Sequence, residues 1–193
     1  MFEYIKGDIY ELTPTAVIID NNGMGYYVNI TLNTYSQLSG HKSTQLFLHQ
    51  VIRDDAHLLF GFKELKEREI FRLLISVSGV GANTARVMLS SLTAEEIKKA
   101  IFSNNSKTLQ DVKGIGAKTS QRIIIELKDK IGKEDELGEI VFSQDNTIRE
   151  EALSALVMLG FAKNTVAKVL DKVIKTNTTS SVEELIKLAL KQL

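Results

Sequence analysis

The sequence predicts a multidomain chain that is β-stranded first and α-helical afterwards, with a small barrel, paired helical hairpins and a three-helix tail. Strand-like alternation of apolar and polar residues fills the first 62 of its 193 residues. A glycine-containing segment then occurs twice, and short capped helical patterns end the chain. We therefore expect a barrel domain (1–63), a helical-hairpin domain (64–132), a flexible acidic linker (133–146) and a helical tail domain (147–193).

Composition excludes several classes of site before any motif is considered. The chain has no cysteine, which removes disulfides, thiolate metal sites and cysteine nucleophiles. Its three histidines, His41, His49 and His57, are too scattered to suggest a metal site, so we expect neither a metal nor a cofactor. No signal peptide and no apolar run of roughly 18 residues is evident, which favours a cytoplasmic protein.

The first 62 residues read as about five short strands with one brief helix-like stretch, 33–38, before the fourth. Asn21-Asn22-Gly23 is a hairpin signal between two of the strands. A small closed barrel suits such strands better than an open sheet with bare edges, and an oligonucleotide/oligosaccharide-binding (OB) fold is the natural candidate. A purely structural barrel without a ligand stays open as an alternative.

The segment "HQVIRDDAHLLFGF", residues 49–62, reads as two strands that meet at a polar tip. Asp54 and Asp55 stand at the point where the chain must reverse. Aspartate favours turns for local hydrogen-bonding reasons, so turn chemistry alone is one explanation of the pair.

The middle of the chain contains an internal repeat. Residues 74–92, LISVSGVGANTARVMLSSL, align with residues 109–127, LQDVKGIGAKTSQRIIIEL, at a shift of 35. Each copy reads as a helix, a Gly-apolar-Gly turn and a second helix. The first glycine, Gly79 or Gly114, suits a turn that side chains would obstruct. The second, Gly81 or Gly116, leaves the amides of the next helix start open to an anion.

GVGANTA and GIGAKTS resemble helix-hairpin-helix motifs, which bind the DNA backbone independently of sequence. Net charge is zero, but the segment 76–122 carries seven basic residues against three acidic ones. A phosphate grip by helix amides and nearby side chains should depend steeply on salt. The candidate DNA contacts outside the glycines are Asn83, Arg86, Lys113, Lys118, Thr119 and Arg122. Because Asn83 stands where the second copy has Lys118, we expect the first hairpin to hold phosphate less tightly.

The remaining sequence indicates a linker and three short helices. Five acidic and no basic residues lie between Glu134 and Asp145, so 132–146 reads as a mobile acidic linker. In the tail, Thr147 with Glu150 and Ser180 with Glu183 are predicted caps, and Gly160 ends the first helix. Three short helices cannot bury every large side chain, which makes an apolar partner-binding patch plausible near the end of the first helix, from Leu156, Met158, Leu159 and Phe161.

Over essentially its whole length the chain resembles the RuvA family, which binds Holliday junctions in the RuvAB branch-migration complex. Besides the hairpins, "VIRDDAHLLFGF" and "EALSALVMLGF" are similar to segments of that family. The resemblance implies a homotetramer, or an octamer on DNA, that holds a four-way junction open during recombination and repair. It also implies an acidic pin at Asp54 and Asp55, and a UBA-like tail that binds the RuvB hexameric ATPase. The RuvC resolvase would act in the same junction complex.

An absent GxxxxGK[ST] loop means that any ATP-driven activity must come from a partner, so we expect no intrinsic catalysis. Two rival readings stay open. A helix-hairpin-helix glycosylase or lyase would use Lys118 with Glu136 downstream. A single-strand or RNA binder would use stacking aromatic side chains on the barrel, for which the candidates are Tyr26, Tyr27, Tyr35 and Phe47.

Overall fold

A computed structural model describes residues 2–139, 147–176 and 181–193 of the chain. The chain divides into two compact units, Met1–Ile131 and Gly132–Leu193. Each unit is described by itself below. None of the helices in the described ranges is both long enough and apolar enough to cross a membrane.

The first unit begins with a closed five-stranded barrel, as predicted. Its strands pair in the order β1-β2-β3-β5-β4, and only β3 and β5 run parallel to one another. Alternate side chains point inward and form the barrel core, because successive residues of a strand face opposite sides. The elements are β1 (Tyr4–Thr13), β2 (Ala16–Asn21), β3 (Met24–Ile30), α1 (Leu32–Leu38), β4 (Ser43–Arg53) and β5 (Ala56–Phe62).

Local chemistry explains the turns and the closure of the barrel. Asn22 and Gly23 have φ values of +53° and +85°, so the predicted β2–β3 hairpin is present with both central residues in the left-handed region. Closure of β5 on β3 needs a glycine, since a Cβ on Gly61 would lie 2.5 Å from Cγ1 of Val28.

Five helices follow the barrel, namely α2 (Leu65–Ile75), α3 (Ala82–Ser91), α4 (Ala94–Phe102), α5 (Ser106–Gln110) and α6 (Ala117–Glu139). The predicted capping box at α4 is present: the Thr93 amide donates to Glu96 Oε2 at 2.8 Å, and the Glu96 amide donates to Thr93 Oγ1 at 3.2 Å. Hydrogen bonds from the Thr93 amide and hydroxyl lower the pKa of Glu96.

The length of α6 corrects the predicted linker. The helix continues through Glu139, so 133–139 is helical where we expected a flexible segment. The segment contains no proline and several good helix formers, and a helix already nucleated upstream needs little more to continue. The rest of the predicted linker, residues 140–146, lies outside the described residues.

The apolar core of the helices extends onto one strand of the barrel. Phe71 of α2 packs against Phe60 and Phe62 of β5, with ring centroids 5.1 Å and 4.9 Å apart. Those three rings belong to the same buried cluster as the side chains between the helices. The predicted boundary at 63/64 therefore separates strands from helices, but two phenylalanines of β5 belong to the core of the helices and not to the core inside the barrel.

The tail contains α7 (Thr147–Met158), α8 (Lys163–Thr176) and α9 (Val182–Leu190) around a small core. Gly160, with φ +99°, follows α7 as predicted, and the Phe161 amide donates to the Leu156 carbonyl at 3.2 Å in a Schellman arrangement. The cap of α9 is Ser181, whose hydroxyl accepts from the Glu184 amide at 3.2 Å. This corrects the predicted Ser180–Glu183 cap, because the same Ser-x-x-Glu pattern fits both positions.

Candidate nucleic-acid interface

The two repeats fold into two equivalent hairpins. Gly79 and Gly114 have φ values of +91° and +94°, so each turn uses the conformation that glycine favours. The Val80 amide donates to the Val77 carbonyl at 3.0 Å, and the equivalent bond from Ile115 to Val112 measures 3.1 Å. All four of these apolar side chains are buried. The repeat in the sequence thus corresponds to a repeat in backbone geometry.

The second glycine of each hairpin precedes an open helix start. Gly81 is the N-cap of α3 and no side chain caps that helix. The Gly116 carbonyl accepts from the Ser120 amide at 3.0 Å, as expected of the residue before α6. A Cβ on Gly81 or Gly116 would meet no heavy atom within 4 Å. The space beside both glycines is therefore open at the helix starts, and the positive end of each helix dipole favours an anion there.

Lys113 and Lys118 flank the second hairpin and are exposed. Neither ammonium group has a hydrogen bond or ion pair with any side chain in the described ranges. At the first hairpin the equivalent of Lys118 is Asn83, also exposed but uncharged. Thr119 is half-buried on the first turn of α6. Of the described side chains beside the two hairpins, the unpaired lysines therefore lie at the second, and the expected difference in phosphate binding stays a prediction.

The two candidate arginines have intramolecular partners instead. Arg86 Nη1 donates to the Thr15 carbonyl and to Asn29 Oδ1 of the barrel, each at 3.1 Å. Arg122 Nη1 donates to the Ser78 carbonyl at 3.1 Å, which joins α6 to the first hairpin. We therefore assign both guanidinium groups a bracing role that the sequence did not predict.

Asp54 and Asp55 form the two-residue connection between β4 and β5, next to the terminal pair Arg53 and Ala56. Both aspartates are exposed, and neither carboxylate has an ion-pair partner within the described parts of the chain. The hairpin thus presents two carboxylates without an ion-pair partner at its tip, beside the exposed Arg53. The same compact unit carries the phosphate-binding geometry of the two glycine hairpins.

The described side chains disfavour one of the two rival readings. The glycosylase or lyase reading paired Lys118 with Glu136, whose side chain lies outside the described residues, so that reading is not tested. The single-strand or RNA reading needs stacking aromatic side chains on the barrel. Of the four aromatic candidates on the barrel, Tyr26 and Tyr35 pack against the barrel core, and Phe47 lies beneath the Arg68 guanidinium. Only Tyr27 is largely exposed, which leaves no stacking platform among these candidates.

The tail residues proposed to bind a partner divide into two groups. Leu156 is fully buried among the three helices, so its assignment to the partner surface was wrong and it is a core residue. Met158, Leu159 and Phe161 are exposed by 86%, 63% and 36%, because α7 ends there and the Gly160 turn projects them outward. Val157, 39% exposed, adjoins them and was missed.

In the described ranges no group of three or more His, Asp or Glu side chains is placed to hold a metal ion. Sequence reasoning also missed Glu67 and Arg68, which are charged and yet buried on α2. The helical pattern of α2 would have indicated them, because it places these two charged residues beside the apolar face of the helix.

Comparison with known proteins gives consistent matches along the chain. Family models described as RuvA N terminal domain, SAM-like helix-hairpin-helix tandem, and RuvA C-terminal domain match residues 1–61, 71–129 and 147–193. Among curated proteins, those of Christiangramia forsetii and Flavobacterium psychrophilum are each 50% identical to the chain over 193 residues. A protein of Bacteroides thetaiotaomicron is 47% identical over 201 aligned residues.

All three relatives are named Holliday junction branch migration complex subunit RuvA, and each alignment covers 100% of both chains. Barrel, tandem hairpins and tail follow one another here in the same order as those family models. The chain belongs to the RuvA family.

Proposed function

We propose that this protein binds four-way DNA junctions by their shape and holds them open for branch migration in recombination and repair. One observation carries the proposal: a single compact unit combines two open helix starts, suited to phosphate, with an exposed pair of carboxylates. Attraction at the hairpins holds DNA arms. Repulsion at Asp54 and Asp55 keeps backbones apart where strands exchange, over roughly the 8–10 Å screening length of physiological salt. Specificity for a branch point needs both charges in different places.

Several finer parts of the proposal follow from family membership. The protein acts as a homotetramer, or as two tetramers on one junction, so that four acidic tips surround the crossover. It has no catalytic residues or cofactor of its own. RuvB, a hexameric ATPase, supplies the motor by binding the tail at Leu159 and Phe161, whose exposed side chains support this assignment. RuvC acts in the same complex, in the cytoplasm.

Asp54→Asn combined with Asp55→Asn tests the pin. Gel shifts should compare a four-way junction, a duplex and a single strand of equal length. We expect the variant to bind the junction at least as tightly as the parent and to lose preference for junction over duplex. Asp8→Asn with Glu11→Gln is the matched control, since it removes two exposed charges from β1. Unchanged selectivity in the tip variant would contradict the pin.

Deleting residues 147–193 tests the division of labour. The truncated protein should bind junctions as the full chain does and should fail to support migration by the motor. Loss of junction binding itself would contradict the assignment of the tail.

Light scattering with and without a junction would report the mass of the assembly and hence the number of tetramers.

A further inference from the structure

Two adjacent charged residues of α2 are almost completely buried and lie outside the proposed DNA contacts. Glu67 is 5% exposed and Arg68 is 4% exposed. Burying a charge is unfavourable unless hydrogen bonds or an opposite charge compensate it. Both side chains find such partners in or beside the barrel, although Nε of Arg68 has none among the described residues. We use the name polar joint for these two residues, Arg72 and the residues that they bind, which are Glu3, Thr31, Thr34 and Leu48.

Glu67 binds the start of α1. The hydroxyls of Thr31 and Thr34 donate to its two carboxylate oxygens, at 2.6 Å and 2.8 Å. Thr31 is also the N-cap of α1, and Thr34 Oγ1 accepts from the Lys63 amide just before α2 at 3.1 Å. Burial raises the pKa of Glu67, although both hydroxyl bonds favour the ionised form. The carboxylate therefore fixes the entry of α2 against the barrel.

Arg68 and Arg72 bind β4. Both donate to the Leu48 carbonyl at 3.4 Å, from Nη1 of Arg68 and Nη2 of Arg72. Arg68 Nη1 also donates to the Glu3 carbonyl at 3.0 Å, and its Nη2 forms an ion pair with the Glu3 carboxylate. Its guanidinium lies 5.4 Å from the centre of the Phe47 ring. The hydrogen bond between Arg68 and the Glu3 carboxylate lowers the pKa of Glu3.

The polar joint lies where two arms of the unit meet. From Leu48, β4 runs five residues to Arg53 at the acidic tip, or about 17 Å at 3.3–3.4 Å per residue. From Arg68, α2 runs seven residues to Ile75 before the first hairpin, or about 10 Å at 1.5 Å per residue. A tilt of about 10° at the joint would move the acidic tip by about 3 Å on that strand length. Such a shift equals a hydrogen-bond length.

We propose that the polar joint is a positioning device that sets the separation between the acidic tip and the phosphate-binding hairpins, and thereby determines selectivity for junctions over duplex DNA. This inference rests on the proposed function. Apolar packing of Phe60, Phe62 and Phe71 supplies cohesion but little direction. Hydrogen bonds from Arg68 and Arg72 to the Glu3 and Leu48 carbonyls supply direction, because a hydrogen bond weakens steeply away from its preferred angle.

The absence of native cysteine makes a distance measurement straightforward. Cysteines introduced as His57→Cys near the tip and Lys107→Cys on α5, both exposed, would carry spin labels. Pulsed electron resonance on full-length protein, diluted with unlabelled chains, would report the distance within one subunit. The variants are Arg68→Met and the milder Arg72→Met. Lys66→Met is the matched control. Lys66 also lies on α2, and its substitution breaks an exposed ion pair of 3.9 Å with Glu95 of α4.

We expect one narrow distance in the parent and in Lys66→Met, and a broader or shifted distribution in Arg68→Met. Preference for junction over duplex should fall about tenfold in Arg68→Met, which corresponds to about 1.4 kcal/mol. Circular dichroism at the assay temperature must show folded protein. If Arg68→Met does not fold, Arg72→Met tests the proposal. We then expect a smaller change in the same direction, both in the distance distribution and in the preference for junction over duplex.

Unchanged distances, or changed distances with unchanged selectivity, would overturn the positioning role. Reduced thermal stability alone, with distance and selectivity as in the parent, would do the same and leave the joint a purely structural feature. A parent protein without preference for junctions would overturn the proposed function instead, so the two failures are distinguishable.

Discussion

Alanine substitutions at Gly114 and Gly116 should have different consequences, although the two glycines lie in one turn. Gly114→Ala should destabilise the unit that contains residues 2–131. Gly116→Ala should leave its stability nearly unchanged and weaken DNA binding. The difference follows from backbone conformation at the first position and from space for a phosphate at the second.

The magnitudes follow from the geometry. Gly114 has φ +94°, and a side chain in the left-handed region costs about 1–2 kcal/mol. Lower entropy of the unfolded chain returns about 0.4–1 kcal/mol, so the net loss is about 1 kcal/mol. Gly116 is not in that region and has open space around its Cβ position. Alanine there is a poorer cap than glycine by about 0.5–1 kcal/mol, which the same entropy gain offsets.

Binding should respond in the opposite order. A methyl group at Gly116 stands where a phosphate would approach the amides of α6, and one hydrogen bond to a charged group contributes about 1.5–3 kcal/mol. We therefore expect a complex with a four-way junction that is weaker by at least about tenfold. Urea unfolding followed by circular dichroism measures the stability, and fluorescence anisotropy at fixed salt measures the binding.

Gly40→Ala is the matched control for strain, because Gly40 has φ +82° and open surroundings in the loop before β4. It should cost about as much stability as Gly114→Ala and leave DNA binding intact. The reasoning is refuted if Gly116→Ala binds the junction as tightly as the parent, or if it destabilises the protein more than Gly114→Ala.

Three further predictions concern other parts of the molecule. Lys118→Gln should weaken binding to every DNA form alike and reduce the slope of log K against log salt by about 1, and an unchanged slope would remove Lys118 from the interface. Burial raises the pKa of the Glu67 carboxyl above its usual 4.5, so the folded state binds the proton of this carboxyl more tightly than the unfolded chain does. The free energy of unfolding should therefore decline as the pH rises from 4.5 through the pKa of Glu67 in the folded state. Glu67→Gln should abolish that decline, which urea midpoints from about pH 4 to pH 8 would show by difference from the parent; an identical profile would contradict the assignment. Leu156→Ala should cost about 2–5 kcal/mol in the tail unit, against less than about 0.5 kcal/mol for the exposed Leu159→Ala, and equal losses on thermal unfolding would contradict their assigned burial.

The features that could be predicted from the sequence are those specified by local chemistry. The β2–β3 turn follows from Asn22 and Gly23, which tolerate left-handed backbone. Both hairpins follow from glycines at fixed spacing between buried apolar residues, and the α4 cap follows from Thr93 and Glu96. Each of these patterns is complete within a few residues, so no distant contact is needed to interpret it.

The features that could not be predicted depend on partners far along the chain. Arg86 binds the Thr15 carbonyl, 71 residues away, and Arg122 binds the Ser78 carbonyl, 44 residues away. Every residue has a backbone carbonyl, so the sequence does not show which carbonyl an arginine will bind. A basic residue beside a phosphate-binding motif is therefore predicted to contact DNA whether or not it binds a carbonyl of the protein itself. The burial of Leu156 was ambiguous for a related reason, because neighbouring apolar residues at a helix end divide between core and surface only once the next helix is placed.

The apolar contact between Phe71 and the two phenylalanines of β5 has a consequence for folding and for dissection of the chain. A fragment that stops at Lys63 would leave Phe60 and Phe62, each 1% exposed in the intact unit, without the helix that covers them. We expect such a fragment to aggregate or to remain molten, and the strands and hairpin helices to unfold in one cooperative transition. The smallest excisable module of this protein should therefore end near Ile131, and we expect the barrel not to be well folded alone unless new side chains replace Phe60 and Phe62 at the boundary.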